Sequence, residues 1–168
     1  MKFDLIPSAL KLAANDALTP GSIVMQAHPG HPGKLFLVTR LNSGNQGHVF
    51  FALDGNLPFV GYPNILSWGG FINLAQPDEY RIRLDSEVRA EQDESFKRGR
   101  LILSDTGAFV AAEWQTHVGM QYGYINLGSG LVDSYTGQTT RHLDSWELVI
   151  RDGVMPPLII AVTAADGE

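Results

Sequence analysis

KLFLVTRLNSGNQGHVFFALDGNLPFVGYPNILSWGGFINL, residues 34–74, is a string of short apolar runs punctuated by turn residues. Leu35-Phe36-Leu37-Val38 and Val49-Phe50-Phe51 flank the small polar segment 42–47, and the pair reads as a hairpin. Asp54-Gly55-Asn56 is a second turn signal, followed by short segments at 57–60, 65–66 and 71–74. Two features of this region return later in the chain. Ser67-Trp68 is echoed by Ser145-Trp146, and the glycine that opens an apolar strand at Gly21 is echoed at Gly99, both 78 residues on. The shared offset predicts one small β unit used twice.

On the N-terminal side, residues 8–18 carry Ser8 as a cap and Ala9, Leu10, Leu12, Ala13, Ala14 and Ala17 as helix formers, which predicts a short helix. Thr19-Pro20-Gly21 ends it, and residues 21–26 form a first strand. On the C-terminal side, residues 77–98 hold 12 of the chain's 30 charged residues and read as a solvated connector. Within it residues 80–84 alternate as a strand does, and a helix capped at Asp85 or Ser86 runs through Lys97. From Gly99 onward, strands at 99–103, 108–115, 122–127, 131–133 and 145–150 alternate with turns. About five short strands on each side of the connector predict a mainly β chain of two tandem, small SH3-like β-barrel lobes. The segments are 1–20 (helix), 21–76 (first lobe), 77–98 (connector) and 99–168 (second lobe with tail).

Composition narrows the function classes. Hydrophobic residues at 44% and charged residues at 18% are those of a globular chain, and 18 glycines suit many turns. The absence of cysteine excludes disulfides, thiolate catalysis and thiolate metal sites. A net charge of −6 argues against a long-range grip on nucleic acid. Met1-Lys2-Phe3-Asp4 is not the start of a signal peptide, and the apolar run at 158–165 is too short to span a bilayer. The expectation is a cytoplasmic chain without a membrane, cofactor or metal.

Several residues are candidates for contact with a ligand or partner. His28 and His31 stand on a loop with two Pro-Gly turns, 27–33, which the second lobe lacks. Two imidazoles three apart fall short of the three or four ligands of a closed metal site, so the loop reads as a partner contact. Arg40, Tyr62, His117 and Arg141 complete the binding set. His117 and His142 have Asp133 or Asp144 as possible acid partners for acid–base chemistry. No Gly-x-Ser-x-Gly, His-Glu-x-x-His or phosphate-cradling glycine loop accompanies them. Trp68 and Trp146 read as core. In 109–115 alternation puts Trp114 on the face opposite Phe109 and Glu113, which points it inward.

The glycine-led strand, the Gly/His loop and the apolar strand of residues 21–39 resemble the opening of toxin endoribonucleases of the PemK type. That resemblance implies an SH3-like lobe. Ser22 stands where that family has an acid, and Lys34-Leu35 where it has Arg-Pro. Three functions follow as expectations. The first is a non-catalytic binding or adaptor protein with a protein partner, using loops and the groove between lobes. The second is a small hydrolase or PemK-like endoribonuclease drawing on His28, Arg40, His117 and Arg141. The third is a carbohydrate-binding module in which Tyr62, Tyr124 or Tyr135 stacks on sugar.

Overall fold

The computed structural model describes residues 12–13, 18–27, 33–41, 47–55, 58–63, 70–84, 95–133, 139–150 and 157–166. Among these there is no helix; every regular element is a strand. The first half of the chain supplies β1 (Leu12–Ala13), β2 (Ile23–Ala27), β3 (Leu35–Leu41), β4 (His48–Ala52), β5 (Val60–Pro63), β6 (Gly70–Ala75) and β7 (Tyr80–Arg83). The second supplies β8 (Lys97–Arg98), β9 (Leu101–Ser104), β10 (Gly107–Thr116), β11 (Gly119–Asn126), β12 (Leu131–Asp133), β13 (Thr139–Leu143), β14 (Ser145–Ile150), β15 (Leu158–Thr163) and β16 (Ala165–Asp166).

These strands close one six-stranded mixed barrel rather than two. β3, β4 and β5 form an antiparallel meander, and β10, β11 and β12 form another. Two parallel seams join them: β5 runs beside β10 through Val60–Glu113 and Gly61–Trp114, and β12 runs beside β3 through Leu131–Arg40 and Val132–Leu41. A three-stranded meander has one apolar face and two open edges. Joining the two meanders covers both faces and pairs all four edges at once. Residues of both expected lobes therefore build a single closed sheet.

The remaining strands are additions. β2 lies on β3 and carries β6 and then β1 beyond it, while β9 lies on β10 and carries β13. β14 is flanked by β7 and β15 in a three-stranded sheet, and β16 pairs with β8. Leu12 and Ala13 are strand, paired with Ile72 and Phe71, where the sequence favoured helix; pairing with β6 overrides a weak local propensity there. Apart from Leu18, the rest of that expected helix lies outside the described residues. In the connector, 80–83 is the expected strand. Lys97 is strand instead of a helix end, and 85–94 lie outside the described residues.

The same hydrogen-bond scheme occurs in both meanders. Gly21 N–H donates to the Val38 carbonyl (2.7 Å) and Gly99 N–H to that of Ala111 (2.8 Å). Leu53 N–H donates to Leu35, and Leu127 N–H to Ala108. Phe59 N–H donates to Ala52, and Gly130 N–H to Asn126. Arg40 N–H reaches the Gly130 carbonyl, and Glu113 N–H reaches that of Phe59. Even the backbone shape agrees, for Phe59 has φ 60° and Gly130 has φ 68°. Ser-Trp does not follow this scheme. Ser67-Trp68 lies outside the described residues and precedes β6, the strand beside β2. Ser145-Trp146 follows β13, the strand beside β9.

The main core fills the barrel and the space under the three-stranded sheet, and includes Leu37, Phe51, Val110, Trp114, Ile125, Trp146 and Leu148. Trp114 and Trp146 are both inside, as alternation predicts, and Trp146 Nε1–H donates to the Gly99 carbonyl at 2.8 Å. A second cluster of Leu18, Val24, Phe36, Val38, Phe50, Ala52 and Phe71 covers the outer face of β2, β3 and β4. Burial on both faces is why these strands read as continuous apolar runs instead of alternating. The Tyr80 hydroxyl donates to the Gly21 carbonyl at 2.9 Å, tying the small sheet to the barrel rim. Burial pushes its pKa up to about 12.

Candidate functional site

β10 and β11 make the longest hairpin among the described residues, paired from Phe109–Asn126 to Thr116–Gly119 around the turn at His117-Val118. Val110, Ala112 and Trp114 point inward, and Gly123 of β11 leaves room for the indole: a Cβ there would stand 3.0 Å from the ring. The opposite alternation sends Met120, Tyr122 and Tyr124 outward. Among the described residues this face is sealed at Phe109, Ala111 and Glu113, which are buried, and opens toward the tip of the hairpin. Met120 is 41% exposed, Tyr122 52%, and Val118 at the tip 73%. Of the five large hydrophobic side chains exposed among the described residues, three fall on alternate positions of this one hairpin. Single exposed apolar residues are normal; two on one strand and a third at its turn form a patch.

Phe96 borders the patch. Its ring meets Tyr122 edge to face at 5.3 Å and Tyr124 at 6.1 Å, the arrangement that opposed ring quadrupoles favour. Both tyrosines are therefore held in place from one side while the Tyr122 face stays open to solvent. Gln115 lies directly opposite Met120 and, with His117, gives the patch a polar border.

Ion pairs hold Phe96 where it is. Arg98, two residues on, is buried and paired with Glu113, which lies opposite Tyr122 on β10. Arg98 Nε and Glu113 Oε2 have no hydrogen-bond partner among the described residues. Arg100 is also buried; its Nη2 donates to Asp144 Oδ2 at 3.0 Å and its Nη1 to the Ser95 carbonyl at 2.7 Å. Lys97 Nζ reaches the same Asp144 oxygen at 3.2 Å. The hydrogen bonds from Arg100 hold the Asp144 carboxyl below the ordinary carboxylate range, outweighing the opposing effect of burial, and Lys97 adds to them. Segment 95–100 is thus clamped to β10 and to the residue just before β14 by charges that are already matched.

The residues singled out from sequence are scattered. His28 and His31 lie outside the described residues, as do Trp68 and Tyr135. Arg40 is exposed on β3 opposite His48. Tyr62 is half-buried and packs edge-on against Phe36 at 6.2 Å. His117 is exposed on the hairpin turn, and Arg141 is exposed on β13. Arg141 is opposite Leu103, which is opposite Ala108; His117 is nine residues further on, just past the far end of β10. The rise per residue separates them by about 30 Å along the strand. Asp144, proposed as a histidine's acid partner, is occupied by Arg100 and Lys97. No group of three or more potential metal ligands occurs among the described residues. The patch itself was legible as Met120-x-Tyr122-x-Tyr124, an alternation that predicts one face. Phe96 was not, because its place depends on the two buried arginines. Comparison with protein-family models, with curated proteins and with solved structures found no match.

Proposed function

We propose that the chain is a non-catalytic binding protein that meets a protein partner with the outer face of the β10–β11 hairpin. The observation that carries this reading is the run Val118, Met120, Tyr122, exposed side by side and backed by Phe96. Tyr and Met are enriched at the centre of protein interfaces. Tyrosine offers large area at small entropic cost, and methionine adapts to irregular partners. The polar border of Gln115 and His117 matches the wet rim of such an interface. Val118 and Met120 favour a protein over a sugar, since carbohydrate stacking uses flat rings and gains little from flexible aliphatic chains. The groove between two lobes gives way to this face as the contact surface, because both halves share one barrel. The enzymatic reading draws no support from His117 and Arg141, which stand far apart.

The test uses the intact chain as bait in its native lysate, beside a Met120→Ser, Tyr122→Ser variant. Both positions are exposed, so the melting curve is expected to move by under about 1 kcal/mol. The retained set is expected to lose its principal member at least tenfold. Equal retention by wild type and variant overturns the reading. A glycan that binds the wild type, in place of any protein, moves the site to the carbohydrate class.

We further propose that the two halves descend from one duplicated unit, β2 to β5 and β9 to β12. Support comes from the matched hydrogen bonds at Gly21 and Gly99 and the matched left-handed residues Phe59 and Gly130. An experimental structure in which any strand of one unit is shifted by a single residue against its counterpart would exchange its inner and outer faces, and that would sink the proposal.

A further inference from the structure

The three-stranded sheet has two edges, and they differ in kind. β7 ends it on one side with Arg81 and Arg83 exposed, and Arg83 is paired with Glu147. Charged side chains on an edge are a common guard against pairing with another chain. β15 ends it on the other side with Leu158-Ile159-Ile160-Ala161-Val162-Thr163, six residues with no charge and no proline. Its exposure alternates, with Ile160 and Val162 buried and Ile159, Ala161 and Thr163 exposed. Such a strand is an open template for backbone pairing.

The register shows which backbone groups are open. Ala164 N–H donates to the Asp144 carbonyl at 2.7 Å. In an antiparallel ladder the bonded pairs alternate. Trp146–Val162 and Leu148–Ile160 are therefore bonded pairs, while Ser145–Thr163, Glu147–Ala161 and Val149–Ile159 are not. The N–H and C=O groups of Ile159, Ala161 and Thr163 consequently face away from β14. No strand among the described residues pairs with them.

We propose that this edge pairs antiparallel with β15 of a second copy of the chain, about a twofold axis at Ala161. The strand is complementary to itself in that register. Ile159 lies opposite Thr163 of the second copy, Ala161 opposite Ala161, and all three outward residues form bonded pairs. On the buried side Ile160 meets Val162 of the second copy, a β-branched pair that favours strand association. The smallest side chain of the outward row, Ala161, falls on the axis, where the two strands come closest. Among the charges carried by β7, β14 and β15, those that come closest across the axis are Glu147 of each copy, three strand spacings apart, or about 14 Å. That exceeds the screening length of about 8 Å at physiological ionic strength, and Arg83 balances each. The result is a continuous six-stranded sheet whose outermost strands are both β7. Its arginines close the assembly at two copies.

Sedimentation velocity on the full chain over a rising concentration series tests this. The expected result is a concentration-dependent shift from the 18.4 kDa monomer to twice that mass. Amide hydrogen exchange is expected to slow at Ile159, Ala161 and Thr163 over the same series, while Ile160 and Val162 are protected throughout. Ala161→Pro removes one outward N–H at an edge position where proline is tolerated; it is expected to abolish the dimer. Ile159→Lys, which adds a charge to the exposed edge, is expected to do the same. A mass that stays monomeric throughout overturns the proposal and leaves the edge for a strand from another protein. Dimer retained by a folded Ala161→Pro or Ile159→Lys variant overturns it too, as does growth past two copies.

Discussion

Gly130 and Phe59 hold corresponding places in the two meanders, both with left-handed backbone, yet only one is glycine. The difference lies in what approaches them. A Cβ on Gly130 would stand 2.0 Å from the Gly21 nitrogen and 2.2 Å from the Pro20 carbonyl carbon, both backbone atoms that cannot swing aside. Phe59 has no such neighbour; it is fully buried and packs on Trp146 at 5.9 Å. Burying a phenylalanine gains roughly 2–3 kcal/mol, which offsets a left-handed cost of about 1–2 kcal/mol. Gly130→Ala is therefore expected to destabilise by more than about 3 kcal/mol, an overpacking effect added to the strain. Gly55 is the control: its φ is +92° with nothing within 4 Å of the added carbon. Gly55→Ala is expected to lose only the strain, about 1–2 kcal/mol. Urea midpoints for the two variants check the contrast, and equal losses would mean that dihedral strain alone selects glycine. Sequence marked Gly21 and Gly99 as strand openers, and both have positive φ. Gly130 read only as part of a turn, since its crowding arises between residues more than a hundred positions apart.

At the scale of elements, the hairpins, their approximate bounds and the inward tryptophans were legible, because period-two alternation is local. Charge was read less well. Arg98 read as the end of a solvated connector and Arg100 as part of the strand after it, but both are buried, because Glu113 on β10 and Asp144 just before β14 receive them. A buried pair costs desolvation that its own attraction barely repays, and removing one partner leaves a stranded charge. Glu113→Ala is expected to cost about 3–5 kcal/mol, whereas Arg98→Met with Glu113→Leu together is expected to be near neutral or stabilising. Chemical denaturation of the single and double variants measures this. A double variant as unstable as Glu113→Ala would show that the pair holds β8 in a way packing cannot replace. The Asp144 pair adds a pH dependence. Its carboxyl is lowered when folded, so its contribution is present above the ordinary carboxylate range and is lost as pH falls through the folded value.

For the whole molecule, each half contributes one meander, and the halves meet along two parallel seams. Parallel pairing of segments this far apart leaves no trace in local pattern, so sequence showed two sets of strands without showing that they close on each other. The consequence is thermodynamic. Separate lobes would each keep a core and melt independently. Here Trp114 of the second half packs edge-on to Phe51 of the first at 6.0 Å, and both seams open edges on either side when broken. Neither meander keeps its barrel-facing side covered without the other. Unfolding in guanidinium is accordingly expected as one transition, with tryptophan fluorescence and far-ultraviolet circular dichroism superimposable at every concentration. The slope is expected to match surface exposed by all of the described strands together, above the range of a lobe half that size. Two resolved transitions would mean that the parallel seams are weak contacts between self-sufficient units. In that case Val60–Glu113 and Leu131–Arg40 would open first, and hydrogen exchange at those strands would be faster than at Phe51–Leu37 or Val110–Ile125.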